Sequence, residues 1–287
     1  MKHAPLIQMA RKVRIDILTM AYRAQSAHTG GALSCVELLV ALYFDVMKIY
    51  PKNHLHPDRD RFVFSKAHDA KALYVVLAHR GFFDKKILES YEIDNGVLSE
   101  HSTRHCVPGV EASAGSLGHG LSMAAGMAYA GKIDKKKYRI FAMLSDGDCD
   151  EGSTWEAALF AGHHRLDNLT VIIDCNSLQG YGYTKDILNL EPFPDKWKAF
   201  GWSVQSVDGH SLNELIKVIS SVPFAEGRPS VVIASTTKGY GGPQRHVNQI
   251  SSQYNPPTEE EYEELVVVNE VKIKVDRLLR APGGKRR

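Results

Sequence analysis

Apolar residues recur at helical spacing from Leu6 through Met9, Ala10, Val13, Ile17, Met20 and Ala21, which predicts an amphipathic helix over residues 5–25. Gly30-Gly31 then reads as a break. Ser34 can cap a second helix, Cys35–Met47, which is apolar nearly all round and so expected to be buried. Further along, the period changes. Arg139–Leu144, Val171-Ile172-Ile173 and Ser230–Ser235 are short apolar runs that read as buried strands, and Phe62-Val63-Phe64 and Trp202–Val207 read as two further strands. Helical patterns fall between them: Ala70–His79, Leu121–Gly131, Ser153 to Leu166, and Leu212–Ser221 with Ser211 as its cap. Strands alternating with helices predict an α/β fold, a mostly parallel sheet with helices on both faces. Residues 258–280 read as a charged amphipathic helix and residues 281–287 as a loose basic tail, which leaves 1–257 as the α/β domain.

The stretch from Leu144 to Leu178 organises the chain. A strand ends in Ser145-Asp146-Gly147, an acidic loop with Asp148, Asp150 and Glu151 follows, then a helix, a second strand and Asp174-Cys175-Asn176. In a parallel sheet, ligands bind outside the carboxyl ends of the strands. Asp146 and Asn176 both lie at such ends. A carboxylate, an amide oxygen and a backbone carbonyl are hard ligands, suited to Mg²⁺, with Ca²⁺ as the alternative, and unsuited to a soft metal. Gly147 lets its N–H approach a phosphate oxygen. An acidic, solvated turn is the bland reading of the same run.

Composition narrows the class. The chain has 287 residues, 44% hydrophobic and 24% charged, with a net charge of +2. That balance gives no bulk electrostatic case for nucleic acid or an anionic membrane. Cys35, Cys106, Cys149 and Cys175 form no CxxC pair and show no metal-ligand spacing, which suits reduced cysteines in the cytoplasm. No apolar run approaches the ~18 residues of a membrane span. Arg11, Lys12 and Arg14 interrupt any signal-peptide core.

The order strand, Ser-Asp-Gly turn, helix, strand, Asn resembles the thiamine-diphosphate motif of the transketolase family. The resemblance extends over roughly residues 5–245: SAHTGG around His28, SKAH around His68, PGVEASAGSLGHG at 108–120, and TTKGYGG at 236–242. It implies Asp146 and Asn176 as Mg²⁺ ligands with the carbonyl of Leu178 as a third. It further implies Gly147 on the diphosphate, Gly115 and Leu117 at the thiamine, and His28, His68 and His101 facing substrate, with His68 also near the diphosphate. Glu151 and Glu156 would belong to the cofactor region where the partner meets it, and His246 would be the histidine contacting the diphosphate, though at an altered spacing.

Departures are plain: Ser145 replaces a glycine, Ala67 another, His119 a glutamine, and Asp69 follows His68. Arg104 and His105 either read an unusual substrate or belong to a solvated loop. The matched region is like the N-terminal half of a transketolase only. The resemblance therefore implies a split enzyme: a diphosphate-binding subunit that transfers a two-carbon ketol unit between sugars or sugar phosphates, with a C-terminal subunit supplying the pyrimidine-binding domain. A subunit of another thiamine-diphosphate enzyme (2-oxo acid decarboxylating or acyloin-forming) would keep Asp146 and Asn176 without needing the three histidines. A non-catalytic pseudo-subunit would keep only the partner surface. A plain nucleotide-binding domain would call for a GxxxxGK[ST] element, and none is present.

Overall fold

The computed structural model describes residues 3–266. Its helices are α1 (Ala4–Ala24), α2 (Thr29–Ser34), α3 (Val36–Ala41), α4 (Ala70–Arg80), α5 (His119–Ile133), α6 (Gly152–His163), α7 (Thr184–Ile187), α8 (Phe193–Ala199) and α9 (Leu212–Ile219). Its strands are β1 (Arg61–Phe64), β2 (Ile140–Ser145), β3 (Leu169–Cys175), β4 (Ser203–Asp208) and β5 (Ser230–Ser235). All pair in parallel, in the order β1-β2-β3-β5-β4. The α/β class expected from the alternating pattern is the one observed.

Two apolar layers sandwich the sheet, as the alternating side chains of a strand require. Phe141, Met143, Ile172 and Val232 pack with α1, α3, α4 and α9. Ile140, Ala142, Leu144, Val171, Ile173 and Val231 pack on the other face with α5, α6 and α8. With both faces covered, function is left to the carboxyl edge.

Three local expectations change. Gly30 and Gly31 do not break a helix; they lie inside α2. The break falls earlier, at Gln25 and His28, both with left-handed backbones (φ 49° and 58°). The glycines answer to packing: a Cβ on Gly30 would meet Ser252, and one on Gly31 would meet the Asp69 carboxylate. Ser34 does not cap the next helix, because its single hydroxyl proton is taken up between Asp174 Oδ2, at 2.6 Å, and the Gly31 carbonyl, at 2.8 Å. The Cys35–Met47 helix is α over Val36–Ala41 and then widens to a π turn over Leu42–Val46. Ser211 does cap α9, accepting from Glu214 N. A terminal helix begins at residue 259, behind a reciprocal Thr258–Glu261 cap. The rest of the expected 258–280 helix and the basic tail lie outside the described residues.

Candidate active site

Loops at the carboxyl ends of β1, β2, β3 and β5 enclose a cavity of about 330 Å³. Asp146 follows β2 and Asn176 follows β3. These strands are neighbours in register at Ser145 and Asp174, so the two side chains reach the cavity from adjacent strand ends. Asp146 is fastened on both oxygens. Oδ1 accepts from Gly147 N at 2.9 Å, and Oδ2 from Ser177 N at 2.7 Å and Thr184 Oγ1 at 3.2 Å. Burial, with Asp174 nearby, raises its carboxyl to about 6. A divalent cation would oppose both effects. Asn176 Oδ1 accepts from Leu178 N.

The donor chemistry therefore fits a hard cation. No group of three His, Cys, Asp or Glu among the described residues could hold a metal by itself. An ion here would complete its shell from Asn176, a backbone carbonyl and oxygens of the bound ligand, as Mg²⁺ commonly does. Two of the expected groups are already engaged: Gly147 N–H by Asp146, and the Leu178 carbonyl by Lys238 Nζ at 3.2 Å.

That lysine, and Lys66 beside it, are the residues missed in the sequence. Both are buried and both line the cavity. Lys66 Nζ bonds Asp174 Oδ2 and the Gly31 carbonyl and lies 3.1 Å from Asp69 Oδ2. Burial works against its charge, but Asp174 and Asp69 outweigh that and hold it well above an ordinary lysine. Lys238 Nζ also donates to Gln253 Oε1 at 2.7 Å, and burial lowers it. The available signal was a lysine just past a buried strand, at the edge where ligands bind.

The histidines divide into groups. His28 and His68 line the cavity with ring centroids 5.4 Å apart. His28 Nδ1 lies 2.7 Å from Glu100 Oε1, and His101 Nδ1 lies 3.7 Å from the other oxygen of the same carboxylate. Glu100, unmarked by any sequence motif, thus links two of the three. His101 is half exposed and touches the space beside Gly115. Burial pushes His68 below the usual histidine value, although Asp69 pulls the other way. His246 is elsewhere: it is fully buried, with Nε2 3.6 Å from Glu261, and does not line the cavity. The altered spacing after β5 turns it toward the terminal helix.

Leu117 lines the cavity. Glu151 and Glu156 are exposed and lie outside its lining. Arg104 and His105 open onto a separate surface cavity with His54, Arg59 and Glu111 and do not line the cavity that holds Asp146 and Asn176. Ser145 is accommodated by Asp148. Its hydroxyl donates to Asp148 Oδ2 at 2.9 Å, while Asp148 Oδ1 takes Ser65 Oγ and Gly118 N. One buried carboxylate thereby ties the β1 end, the glycine-rich turn and the acidic loop.

A family described as "Transketolase, thiamine diphosphate binding domain" matches residues 3–265. An apulose-4-phosphate transketolase subunit of Phocaeicola vulgatus is 39% identical over 277 residues, 96% of this chain and 97% of its own length. The 6-deoxy-6-sulfo-D-fructose transketolase subunit SqwG of a Clostridium species is 45% identical over 214 residues, 75% of this chain and 78% of its own. Among solved structures, transketolase from Campylobacter jejuni superposes with a TM-score of 0.83 at 27% identity, over 97% of this chain. Only 49% of that transketolase is covered, so the chain spans about half its length.

Proposed function

The chain belongs to the transketolase family through its thiamine-diphosphate-binding domain, and we propose that it is the diphosphate-binding subunit of a split transketolase. It would transfer a two-carbon ketol unit between sugar-type or sugar-phosphate substrates, together with a separate subunit carrying the pyrimidine-binding domain. One observation carries the reading: Asp146 and Asn176 meet at adjacent strand ends in a cavity that also holds Lys66, Lys238, His28 and His68.

The residues divide the work by chemistry. Asp146, Asn176 and the Leu178 carbonyl would hold Mg²⁺, or Ca²⁺ in its place, once Lys238 shifts from that carbonyl to the diphosphate. Gly147 and His68, which line the same cavity, would face the diphosphate. Gly115 and Leu117 would flank the thiamine. Thiamine diphosphate, when bound, supplies the nucleophilic carbon that accepts the two-carbon fragment. The protein then has to move protons and exclude competing reactions. His68, kept neutral by burial, can accept and return a proton near neutral pH. Glu100 would orient His28 toward substrate hydroxyls, with His101 beside the same carboxylate. Glu151 and Glu156, exposed at the start of α6, form part of the face offered to the partner.

Relatives covered over most of their own length are named as subunits, which supports a heteromeric enzyme. Two copies of each chain form the expected assembly, with residues 1–257 as the cofactor-binding unit. No helix among the described residues is long and apolar enough to cross a membrane, and we place the enzyme in the cytoplasm. The test is ketol transfer by the purified chain with thiamine diphosphate and Mg²⁺, with and without a separately expressed pyrimidine-domain subunit. Turnover is expected only in the mixture. Full turnover by this chain alone overturns the split-subunit reading.

A further inference from the structure

On the far side of the loop that carries Lys238, α1, α3 and the turn after β4 meet in a second polar cluster. Arg14 and Glu37 pair there through two bonds, from Arg14 Nη2 to Glu37 Oε1 and Oε2, at 2.7 and 2.6 Å, both side chains buried. His210 Nδ1 lies 3.2 Å from Glu37 Oε2. Its other ring nitrogen, Nε2, accepts the backbone N–H of Thr237 at 2.9 Å. Tyr240 stacks on the imidazole with centroids 3.7 Å apart and planes 18° apart. Arg14 Nε donates to the Tyr240 carbonyl, and its guanidinium lies 5.1 Å from the Tyr240 ring centroid. None of these groups lines the cofactor cavity.

The arrangement fixes the tautomer. A nitrogen that accepts an amide N–H carries no proton, so Nε2 is bare and Nδ1–H donates to Glu37. Glu37 is held ionised against its burial by Arg14 and His210. The bond that His210 accepts falls one residue before Lys238. On the other side of Lys238, Gly239 N donates to the Gly30 carbonyl at 2.8 Å. The lysine is thus suspended between two tethered neighbours, one of them held by a side chain from another loop.

We propose that His210 is a positioning residue: by accepting from Thr237 N–H, it sets the loop that places Lys238 in the cofactor cavity. This rests on the reading that Lys238 faces the diphosphate. His210 itself does not line the cofactor cavity; it lines a separate one with Arg14, Glu37 and Tyr240. Its effect on catalysis passes through the loop, as outer-shell partners act through the groups they orient.

Two substitutions separate the nitrogens of the ring. His210→Gln can present an amide oxygen near the place of Nε2 and so keep an acceptor for Thr237. His210→Asn can keep a donor near the place of Nδ1, toward Glu37, but leaves Thr237 N–H unpaired. Three readouts on the full chain are compared: amide exchange at Thr237, acylation of Lys238 by a small amine-reactive reagent followed by mass spectrometry, and affinity for thiamine diphosphate with Mg²⁺ by calorimetry. In His210→Asn, exchange and labelling are expected to quicken about tenfold and affinity to fall about tenfold, the scale of one unpaired amide. His210→Gln should stay near wild type in all three. A purely structural role for the histidine would impair both variants alike, and that result overturns the proposal, as does unchanged Thr237 exchange in His210→Asn. If the wild-type chain, mixed with the pyrimidine-domain subunit, still binds no thiamine diphosphate, the proposed function fails instead, while exchange and labelling still decide whether His210 sets the loop.

Discussion

Gly31 leaves no room for a methyl group beside Asp69: a Cβ there would sit 2.8 Å from Asp69 Cγ and closer still to the carboxylate oxygens. Asp69 is fully buried, and Lys66 is the cation against it. Gly31→Ala should therefore destabilise the chain by about 1–3 kcal/mol, the usual cost of overpacking. Asp69→Ala should relieve much of that cost in the double variant, because the two changes share one contact. Urea denaturation of the two single variants and the double variant measures the coupling. Strictly additive losses would show that the crowding is not what Gly31 avoids.

Ser145 should matter to stability and not to cofactor binding. Its hydroxyl donates to Asp148 Oδ2 and accepts from Asp148 N at 3.1 Å. Ser145→Ala is expected to cost about 1–2 kcal/mol of unfolding free energy. Asp148 keeps Ser65 Oγ, Gly118 N and Ser145 N, so the turn remains formed. Thiamine-diphosphate affinity should stay within about twofold of wild type, since Asp146 and Asn176 keep their places. A large loss of affinity would make Ser145 part of the ligand shell.

Asp146→Asn tests the cation site. The amide keeps one acceptor oxygen; turned toward Ser177 N it leaves its NH2 facing Gly147 N, a lost bond expected to cost about 1–3 kcal/mol of stability. Losing the charge should weaken Mg²⁺-dependent binding of thiamine diphosphate by about 100-fold or more, since even outer-shell partners of metal ligands are worth about 10–100-fold. Calorimetry across a range of Mg²⁺ concentrations reads it directly. Wild-type affinity at limiting Mg²⁺ would remove Asp146 from the metal.

Lys71 gives a pH signature. It is fully buried and donates to the Ala27 carbonyl, next to His28. Burial lowers its pKa from 10.5 to about 8, against the pull of Asp69. Within that window the unfolded chain holds a proton that the folded chain has released, so stability rises with pH. The rise is worth about 3 kcal/mol at about 1.4 kcal/mol per unit. Lys71→Met lacks it. Relative to that variant, wild type should gain stability between about pH 8 and about pH 10.5. A pH-independent difference between the two would mean that the buried ammonium is not destabilised.

The fold was legible because the central strands β2, β3 and β5 are apolar on both faces and α1 and α9 each carry one apolar stripe. Phe141 and Ala142 point to opposite layers, and both are buried. What escaped was set by distant chain. Nothing local marks Gly31 as the neighbour of Asp69, so a glycine pair read as a break. The stretch holding α7 and α8 shows no long apolar run, yet Trp197 is buried by packing against Trp202. The carboxylate and amide of the candidate site stood out because their strand-end positions follow from topology. Lys66, Lys238 and Glu100 did not, because what distinguishes them is burial or the company they keep across the sheet edge.

Asp174 has a consequence for how the protein is made. Its carboxylate accepts from Ser34, Lys66 and Thr236, partners 140, 108 and 62 residues away along the chain. Bringing such remote segments together costs loop-closure entropy before any bond repays it. The cavity floor should thus be among the last parts to assemble during synthesis, only after β5 has emerged and docked beside β3. A nascent chain halted short of Thr236 would carry most of the sheet and none of the finished site, and a premature stop there would yield an idle scaffold instead of a weaker enzyme.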